Sequence, residues 1–238
     1  IDGFHPIIPL EDYQWSCLNA SVGQIDSIGR FKGLSEGQTR VVAQYQDKSD
    51  TSLVSVQIGR DISVIDSMES TSAWNVSGVL YDPQATTLTT VDTPRTAGSK
   101  SFRLDYQFIR SSAGRSWVHL NSDILVYGLP DTIMLDIKSN HLNHIADIII
   151  RDDDDELFTA STGLFNTASN SFETYKIALG NFNAVTPGAS FNFPIRISSI
   201  QIKLWYQGAV GDTTRGTFYF DNLRVKYPVT TQISPYTQ

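Results

Sequence analysis

The sequence predicts an all-β protein whose main part is a β-sandwich of the jelly-roll type. Three observations lead to this fold class. Helical periodicity is almost absent, and apolar and polar residues alternate along many short segments. Gly, Pro, Asn and Asp fill the joints between these segments. Many strands without intervening helices bury their apolar faces by pairing two sheets, which gives a sandwich.

The clearest predicted strands occur on both sides of a change in pattern near residue 60. In chain order they cover residues 39–45, 51–58, 101–108, 116–121, 132–138, 145–151, 173–179, 198–206 and 216–225. We therefore expect one domain over residues 1–60, a second over 61–230, and a loose tail over 231–238.

Composition limits the partners that the chain can have. Its 238 residues carry a formal net charge of −7 and no run of basic residues, which argues against nucleic acid and anionic membranes. No apolar run approaches the roughly 20 residues of a membrane span. The single cysteine, Cys17, excludes an intrachain disulfide and is expected to pack as a small hydrophobe. Because the chain starts at Ile1, we expect a processed product or a fragment.

Residues 13–58 resemble the second half of a bacterial immunoglobulin-like domain of type 2. The matching positions are Trp15, Ile25, Asp26, Gly29, Gly33, Leu34, Gly37, Thr39, Ala43, Tyr45 and the strand Val54 to Val56. The first strands of that family would have to precede these residues, where only the short segment 1–12 is available, so either the domain is truncated or residues 1–12 supply a minimal substitute. The resemblance implies a spacer without chemistry of its own, with a hairpin that turns over residues 46–50.

Residues 62–226 resemble the jelly-roll carbohydrate-binding modules of the galactose-binding-like superfamily. The motifs are "DSMESTSAWNVSG" from residue 66, "GSKS" from residue 98 and "YFDN" from residue 219. The resemblance implies a structural calcium ion held by Glu69, the carbonyl of Lys100 and Asp221, with Asp66 as a helper. In the alternative, Asp221 hydrogen-bonds the backbone and no ion binds.

The whole arrangement, including "YGLPDTIMLDIKS" from residue 127, also resembles the C-terminal region of secreted Bacteroidetes proteins of the phosphodiester glycosidase family. This resemblance implies a secreted or cell-surface bacterial protein with further domains as partners. We find no segment here that corresponds to the catalytic domain of that family.

Two tryptophans occupy the polar faces of predicted strands. Trp117 alternates with Arg115, His119 and Asn121, and Trp205 alternates with Gln201 and Lys203. Sugar rings stack on aromatic planes while polar side chains hydrogen-bond their hydroxyls. The predicted ligand-binding set is Trp117, Trp205, Arg115, His119, Gln201 and Lys203. In the alternative, loops or a neighbouring domain cover both indoles. Trp74 and Tyr81 are expected to fix the first strand in place.

Other polar clusters are assigned structural roles. The run "RDDDDEL" from residue 151 lacks the glycine and glutamate spacing of a calcium loop and is expected to form a solvated hairpin turn. His141 and His144 lack a third ligand and are expected in a loop. The carboxylates Asp105, Asp136, Asp147 and Glu173 show no spacing that singles out a catalytic pair, so we predict no catalytic residue in this chain.

The sequence thus predicts a non-catalytic module that binds an extracellular glycan and belongs to a larger carbohydrate-active protein. The alternative is a spacer or scaffold that supports a phosphodiester glycosidase-like domain and binds no sugar.

Overall fold

A computed structural model describes residues 9–56, 61–111, 114–139, 144–164, 171–204 and 209–228. The chain divides into two compact units, residues 1–60 and 61–238. The tail 231–238 lies outside the described residues. Within the described segments, no helix has the length and apolar character needed to cross a membrane.

Unit 1 is built from two small antiparallel sheets. Three strands form the first sheet in the order β1-β4-β5, and β2 pairs with β3 in the second. Their bounds are Gln14–Cys17 (β1), Gly23–Ile25 (β2), Phe31–Gly33 (β3), Gly37–Tyr45 (β4) and Lys48–Val56 (β5), after a short 3-10 turn at Leu10–Asp12.

The hairpin between β4 and β5 is tighter than the sequence predicts. Tyr45 pairs directly with Lys48, so the turn contains only two residues rather than the five of residues 46–50. Gln46, the first residue of this turn, has a left-handed backbone conformation with a φ of 53°. Polar residues at the start of β5 resemble turn residues in the sequence, but they belong to an exposed strand.

Cys17 in unit 1 is not simply a small hydrophobe. It is half-buried, and its Sγ lies 3.1 Å from the hydroxyl of Thr39. That hydroxyl also accepts the backbone N–H of Asn19, so it ties the end of β1 to β4.

Unit 2 contains twelve further strands. Their bounds are Ile62–Asp66 (β6), Asn75–Val79 (β7), Thr87–Val91 (β8), Ser101–Ile109 (β9), Trp117–Val126 (β10), Thr132–Ser139 (β11), His144–Arg151 (β12), Leu157–Leu164 (β13), Glu173–Ala178 (β14), Asn183–Ala184 (β15), Ile195–Leu204 (β16) and Thr213–Lys226 (β17). Short 3-10 turns occur at Thr71–Ala73 and Leu179–Asn181.

These strands form two antiparallel sheets. The six-stranded sheet has the order β15-β13-β12-β16-β10-β7. The other sheet has the main path β14-β11-β17-β9-β8 and a further strand, β6, which pairs with the end of β17; we call it the five-stranded sheet after its main path. The all-β sandwich predicted from the alternation is therefore the fold of this unit.

One continuous hydrophobic core lies between the two sheets. Both sheets contribute alternate residues, among them Phe102 and Phe218 from one side and Ile200 and Leu120 from the other. These four side chains are fully buried. Burial on one face leaves the alternate residues of each strand on the outer face, where a ligand site can form.

The core also holds a polar pair. His144 is fully buried as the first residue of β12, and its Nε2 lies 2.9 Å from the hydroxyl of Tyr106. The loop predicted for this histidine is therefore wrong, because aromatic neighbours such as Phe108 and a hydroxyl partner accommodate its ring in the core. His141 lies outside the described residues.

Trp74 has the role that the sequence predicts for it. It is buried, meets the Phe102 ring edge-on at 5.7 Å, and donates its indole N–H to Asp66 at the end of β6. It thereby anchors the first strand of unit 2 to the core. Tyr81 is half-buried and packs against the same core.

Candidate functional site

The outer face of the six-stranded sheet brings several predicted ligand-binding residues together. In the register of β10 and β16, Trp117 pairs with Lys203, and His119 pairs with Gln201. All four alternate with buried residues and therefore lie on the outer face. Trp117 is half-buried rather than fully covered, so the residue is partly exposed on this face.

The other two predicted residues have a different placement. Arg115 is exposed and precedes the start of β10, so it belongs to the connecting segment rather than to the strand face. Trp205 lies in residues 205–208, outside the described residues.

His119 is the centre of a hydrogen-bonded network on this face. The side-chain nitrogen of Gln201 lies 2.7 Å from its Nε2, and Ser199 Oγ lies 3.2 Å from its Nδ1. An amide nitrogen only donates, so Nε2 accepts, and Nδ1 carries the proton that is donated to Ser199. Burial lowers the pKa of His119; the nearby charge of Lys203 lowers it further, against the opposing effect of Asp147. The ring is therefore neutral at neutral pH.

Asp147 extends the network onto β12. It lies opposite Gln201 in the register and forms an ion pair with Lys203. Although it occupies an outer-face position, only 4% of it is exposed. Its Oδ1 has no hydrogen-bond partner among the described residues. In the sequence it was one of four candidate carboxylates, without a signal linking it to Lys203.

A groove runs beside His119 along the same face. It has a volume of about 660 Å³, and its lining includes the apolar side chains of Ile149 and Leu157. Two arginines lie at its borders, each held by an aspartate: Arg151 with Asp155 at 3.3 Å and Arg196 with Asp123 at 3.0 Å. The groove combines an apolar surface with fixed donors and acceptors, as binding sites for small ligands do.

A bulge in β10 shapes one border of this groove. The pairing with β16 shifts between Asn121 and Ile124, so Ser122 and Asp123 together face a single residue of β16. Ser122 fixes the bulge by donating to the carbonyl of Ile197 at 2.8 Å. The bulge turns Asp123 outward, where it meets Arg196. Sequence reasoning missed the pair of Asp123 and Arg196 because one predicted strand ended at residue 121 and the other began at residue 198. Arg151 lay in a predicted strand, but no local pattern linked it to this face.

Asn121 completes the face on the side of β7. Its side-chain nitrogen donates to Asn75 Oδ1 at 3.1 Å and Ser77 Oγ at 2.9 Å. These contacts hold the amide in place, and Asn121 is one of the residues that line the groove.

Glu69 and Asp221, two of the predicted calcium ligands, hold the turn at residues 96–99 from two sides. Glu69 accepts the backbone N–H of Ser99 at 2.8 Å and also the Ser99 hydroxyl. These two hydrogen bonds, with smaller contributions from Lys100, hold the pKa of Glu69 below its ordinary value. Gly98 is required there, since a Cβ would lie 1.9 Å from the Glu69 carboxylate and its φ is 58°.

Asp221 holds the other part of the same turn. Its Oδ2 accepts the backbone N–H of Ala97 at 3.0 Å and the N–H and hydroxyl of Thr96. The residue is fully buried, and its Oδ1 has no partner among the described residues. Asp66 is less suited to a metal, because its two oxygens accept from Met68 N and Trp74 Nε1.

Thr96 lies between two buried carboxylates. Its hydroxyl is 2.8 Å from Asp136 Oδ2 and 2.9 Å from Asp221 Oδ2, but it has one proton to donate. Arg224 forms its ion pair with Asp136. Within the described segments, Asp221 Oδ1 has no hydrogen-bond partner and no cation pairs with this carboxylate, so Oδ1 is a hard oxygen of the kind that calcium ligands provide. Among the described residues, no three His, Cys, Asp or Glu side chains cluster as a metal site.

The four candidate carboxylates do not come together. Asp105 and Asp136 lie on β9 and β11, with β17 between them, and Asp147 lies on the other sheet. Glu173 accepts the hydroxyl of Tyr175 at 3.1 Å.

No protein-family model matches this chain. A search of curated proteins also finds no match. Among solved structures, the chain is similar to a family 11 carbohydrate-binding module from Clostridium thermocellum in complex with a β-1,3-1,4-mixed-linked tetrasaccharide. The two share 15% sequence identity with a TM-score of 0.47, and the match covers 70% of this chain and 95% of that one.

Two further structures show weaker likeness. A family 61 module in complex with β-1,4-galactotriose has 11% identity and a TM-score of 0.40 over 66% of this chain and 90% of that one. The tailspike protein 4 of bacteriophage CBA120 has 20% identity and a TM-score of 0.39 over 67% of this chain and 20% of that one. All three TM-scores lie below 0.5.

Proposed function

We propose that unit 2 is a non-catalytic carbohydrate-binding module whose glycan site is the outer face of the six-stranded sheet. One observation carries the proposal: the half-buried Trp117 lies on the same face as a groove with an apolar surface and fixed polar groups. An indole offers a sugar ring a rigid apolar plane at low entropic cost. The paired His119 and Gln201 hold hydrogen-bonding groups in place beside it.

The charge balance of the groove favours a neutral glycan at this site. Arg151 and Arg196 are both neutralised by aspartates, and Lys203 is neutralised by Asp147. Such paired groups present hydrogen bonds without a net field, which suits hydroxyls better than carboxylates or sulfates.

The proposal is tested by a glycan array followed by tryptophan fluorescence titration. We expect the wild-type protein to bind a neutral glycan and Trp117→Ala to weaken that binding at least about tenfold, since truncating a central aromatic typically costs 2 kcal/mol or more. Tyr219→Ala, on the other sheet, serves as the matched aromatic control and should bind normally. Unchanged affinity in a folded Trp117→Ala protein would refute the assignment of the site.

A second candidate function is a scaffold that binds no sugar. It is favoured by the mutual pairing of the polar side chains on the face, such as Asn121 with Asn75 and Ser77. In this case the array is silent for the wild type, and Trp117→Ala lowers the melting temperature instead.

For the wider context, we propose that this module is an accessory part of a larger secreted or surface bacterial protein. Its partners there are an extracellular glycan and other domains, such as a phosphodiester glycosidase domain, with residues 1–60 as an immunoglobulin-like spacer. The proposal rests on the sequence motifs described above. Recovery of a tagged chain from the cytosol of its host, rather than from the surface or medium, would contradict it.

We also propose that a calcium ion binds at Asp221, with Glu69 and the carbonyl of Lys100 as further ligands. Support comes from the buried, unpartnered Oδ1 of Asp221 and from the excess of buried carboxylates over cations there. An ion would cross-link the turn at residues 94–100 to β17 and stabilise the folded state.

Melting curves test the calcium ion. We expect EDTA to lower the melting temperature of the wild type and calcium to restore it, whereas Asp221→Asn should lose this response. An identical melting temperature with EDTA and with millimolar calcium would overturn the proposal.

A further inference from the structure

The outer face of the five-stranded sheet gathers positive charge that is scattered in the sequence. Six cations occupy alternate positions of β9, β11, β14 and β17 and therefore point away from the core: Arg103, Lys138, Lys176, Arg215, Arg224 and Lys226. We call this surface the basic face. It lies on the opposite side of the sandwich from the groove beside His119.

Two of the six cations are neutralised by acids on the same face. Arg103 pairs with Asp105 at 2.8 Å, and Arg224 pairs with Asp136 at 2.6 Å. For Lys138, Lys176, Arg215 and Lys226, no ion pair with an acid occurs within the described segments. The remaining acid of this face, Asp221, is buried beneath the turn it holds. The exposed groups therefore give the face a positive potential although the chain carries −7.

An aromatic ring lies within this basic face. Tyr219 is half-buried. In the strand register it lies opposite Lys138 of β11 on one side and Arg103 of β9 on the other. Thr89 of β8 in turn lies opposite Arg103. The ammonium group of Lys138 lies 5.7 Å from the centroid of the Tyr219 ring. This row crosses four adjacent strands with a cation on each side of the ring.

The combination of a ring and unpaired cations indicates the class of ligand. A sugar ring stacks on an aromatic plane, and carboxylate or sulfate substituents pair with ammonium and guanidinium groups. From Arg215 to Lys226, β17 extends about 36 Å at roughly 3.3 Å per residue, so the cations are spread along the sheet on both sides of the turn that Asp221 holds. A linear polyanion meets several of these cations at once, whereas a small anion meets one or two.

We infer that the basic face is a second binding surface, specific for a linear anionic glycan such as a polyuronate. It differs in place and in charge from the neutral-glycan site proposed on the other sheet. The sequence argues against nucleic acid and anionic membranes because it contains no basic run. The strands alternate, however, so the fold assembles the cations from four separate segments.

Affinity electrophoresis of the intact chain in gels that contain polygalacturonate tests the inference, with neutral dextran gels as reference. We expect polygalacturonate to retard the wild type at low salt, and the retardation to disappear near 1 M salt, where the Debye length is about 3 Å. Lys138→Ala/Lys176→Ala and Tyr219→Ala should each weaken binding by about tenfold, as loss of an anchoring group at an interface commonly does.

Matched variants separate this surface from net charge and from the other site. Lys32→Ala/Lys48→Ala removes two exposed charges from unit 1 and should bind like the wild type, as should Trp117→Ala. Three results would overturn the inference: no retardation at low salt, equal weakening by the unit 1 double variant, or tighter binding of duplex DNA or phosphatidylserine vesicles than of polygalacturonate. Because Trp117→Ala affects only the first site, either proposal can fail alone.

Discussion

At the scale of single residues, His119 shows how burial sets the chemistry of a polar face. Its ring accepts from Gln201 and donates to Ser199, which requires the neutral form. Burial lowers its pKa below the ordinary value near 6.5. The folded state therefore resists protonation more than the unfolded chain does.

This gives a pH dependence with a definite sign. Because the folded pKa is the lower one, the unfolded chain binds more protons as the pH falls below about 6.5, and stability is lost through that window. We expect the melting temperature of the wild type to fall with acidification relative to His119→Gln, in which a neutral amide keeps both hydrogen bonds. The difference between the two melting profiles isolates this histidine from other groups, such as Glu69.

If His119 borders the ligand, the affinity for the glycan should also fall with acidification. Parallel melting profiles for the two proteins would show that folding does not lower the pKa of His119. An NMR titration of the His119 ring protons gives its pKa directly.

At the scale of elements, the turn between β12 and β13 does more than reverse the chain. Asp152 is 2% exposed, although the sequence predicts a solvated turn. Its Oδ1 accepts the N–H groups of Asp154 and Glu156, and its Oδ2 accepts the N–H of Asn192 at 3.1 Å. The hairpin turn itself is as predicted, but this carboxylate ties it to the segment before β16.

We expect Asp152→Ala to lower the free energy of unfolding by roughly 2–4 kcal/mol, because three backbone donors lose a charged acceptor in a buried place. Its neighbour Asp153 is exposed and offers a matched control. Asp153→Ala should change stability by no more than about 0.5 kcal/mol. Urea denaturation measures both, and equal effects of the two variants would contradict a specific role for Asp152.

At the scale of the molecule, the two units differ in how much core they contain. Among the described residues of unit 1, the buried side chains are Val22, Thr39 and Val41. Unit 2 encloses a continuous core between two sheets, including the aromatic group around Tyr106. A large core gives rigid sheets, and rigid sheets hold outward-facing side chains in fixed relative positions. Binding surfaces are therefore expected on unit 2.

The two outer faces of unit 2 also differ in charge. On the six-stranded sheet, the cations Lys203, Arg151 and Arg196 each have an aspartate partner. On the five-stranded sheet, four cations have no acid partner within the described segments. The two faces of one sandwich thus differ in how their cations are paired, which the overall charge of −7 conceals.

Alternation along the chain determined the all-β fold and which face of each strong strand is buried. Phe102, Leu104 and Tyr106 alternate with polar residues, and the hydrophobic effect allows only one orientation of such a strand. The outward position of Trp117 and His119 followed from the same pattern. These properties are local, so the sequence by itself contains them.

Tertiary structure alone decided which outward residues meet. Strand order and register place Gln201 beside His119 and Lys203 beside Asp147, and no local pattern encodes either pairing. The bulge after Asn121 and the burial of His144 likewise depend on neighbours distant in the chain. The basic face has the same origin, because four strands that are separate in sequence contribute cations to one side of a sheet only after they pair.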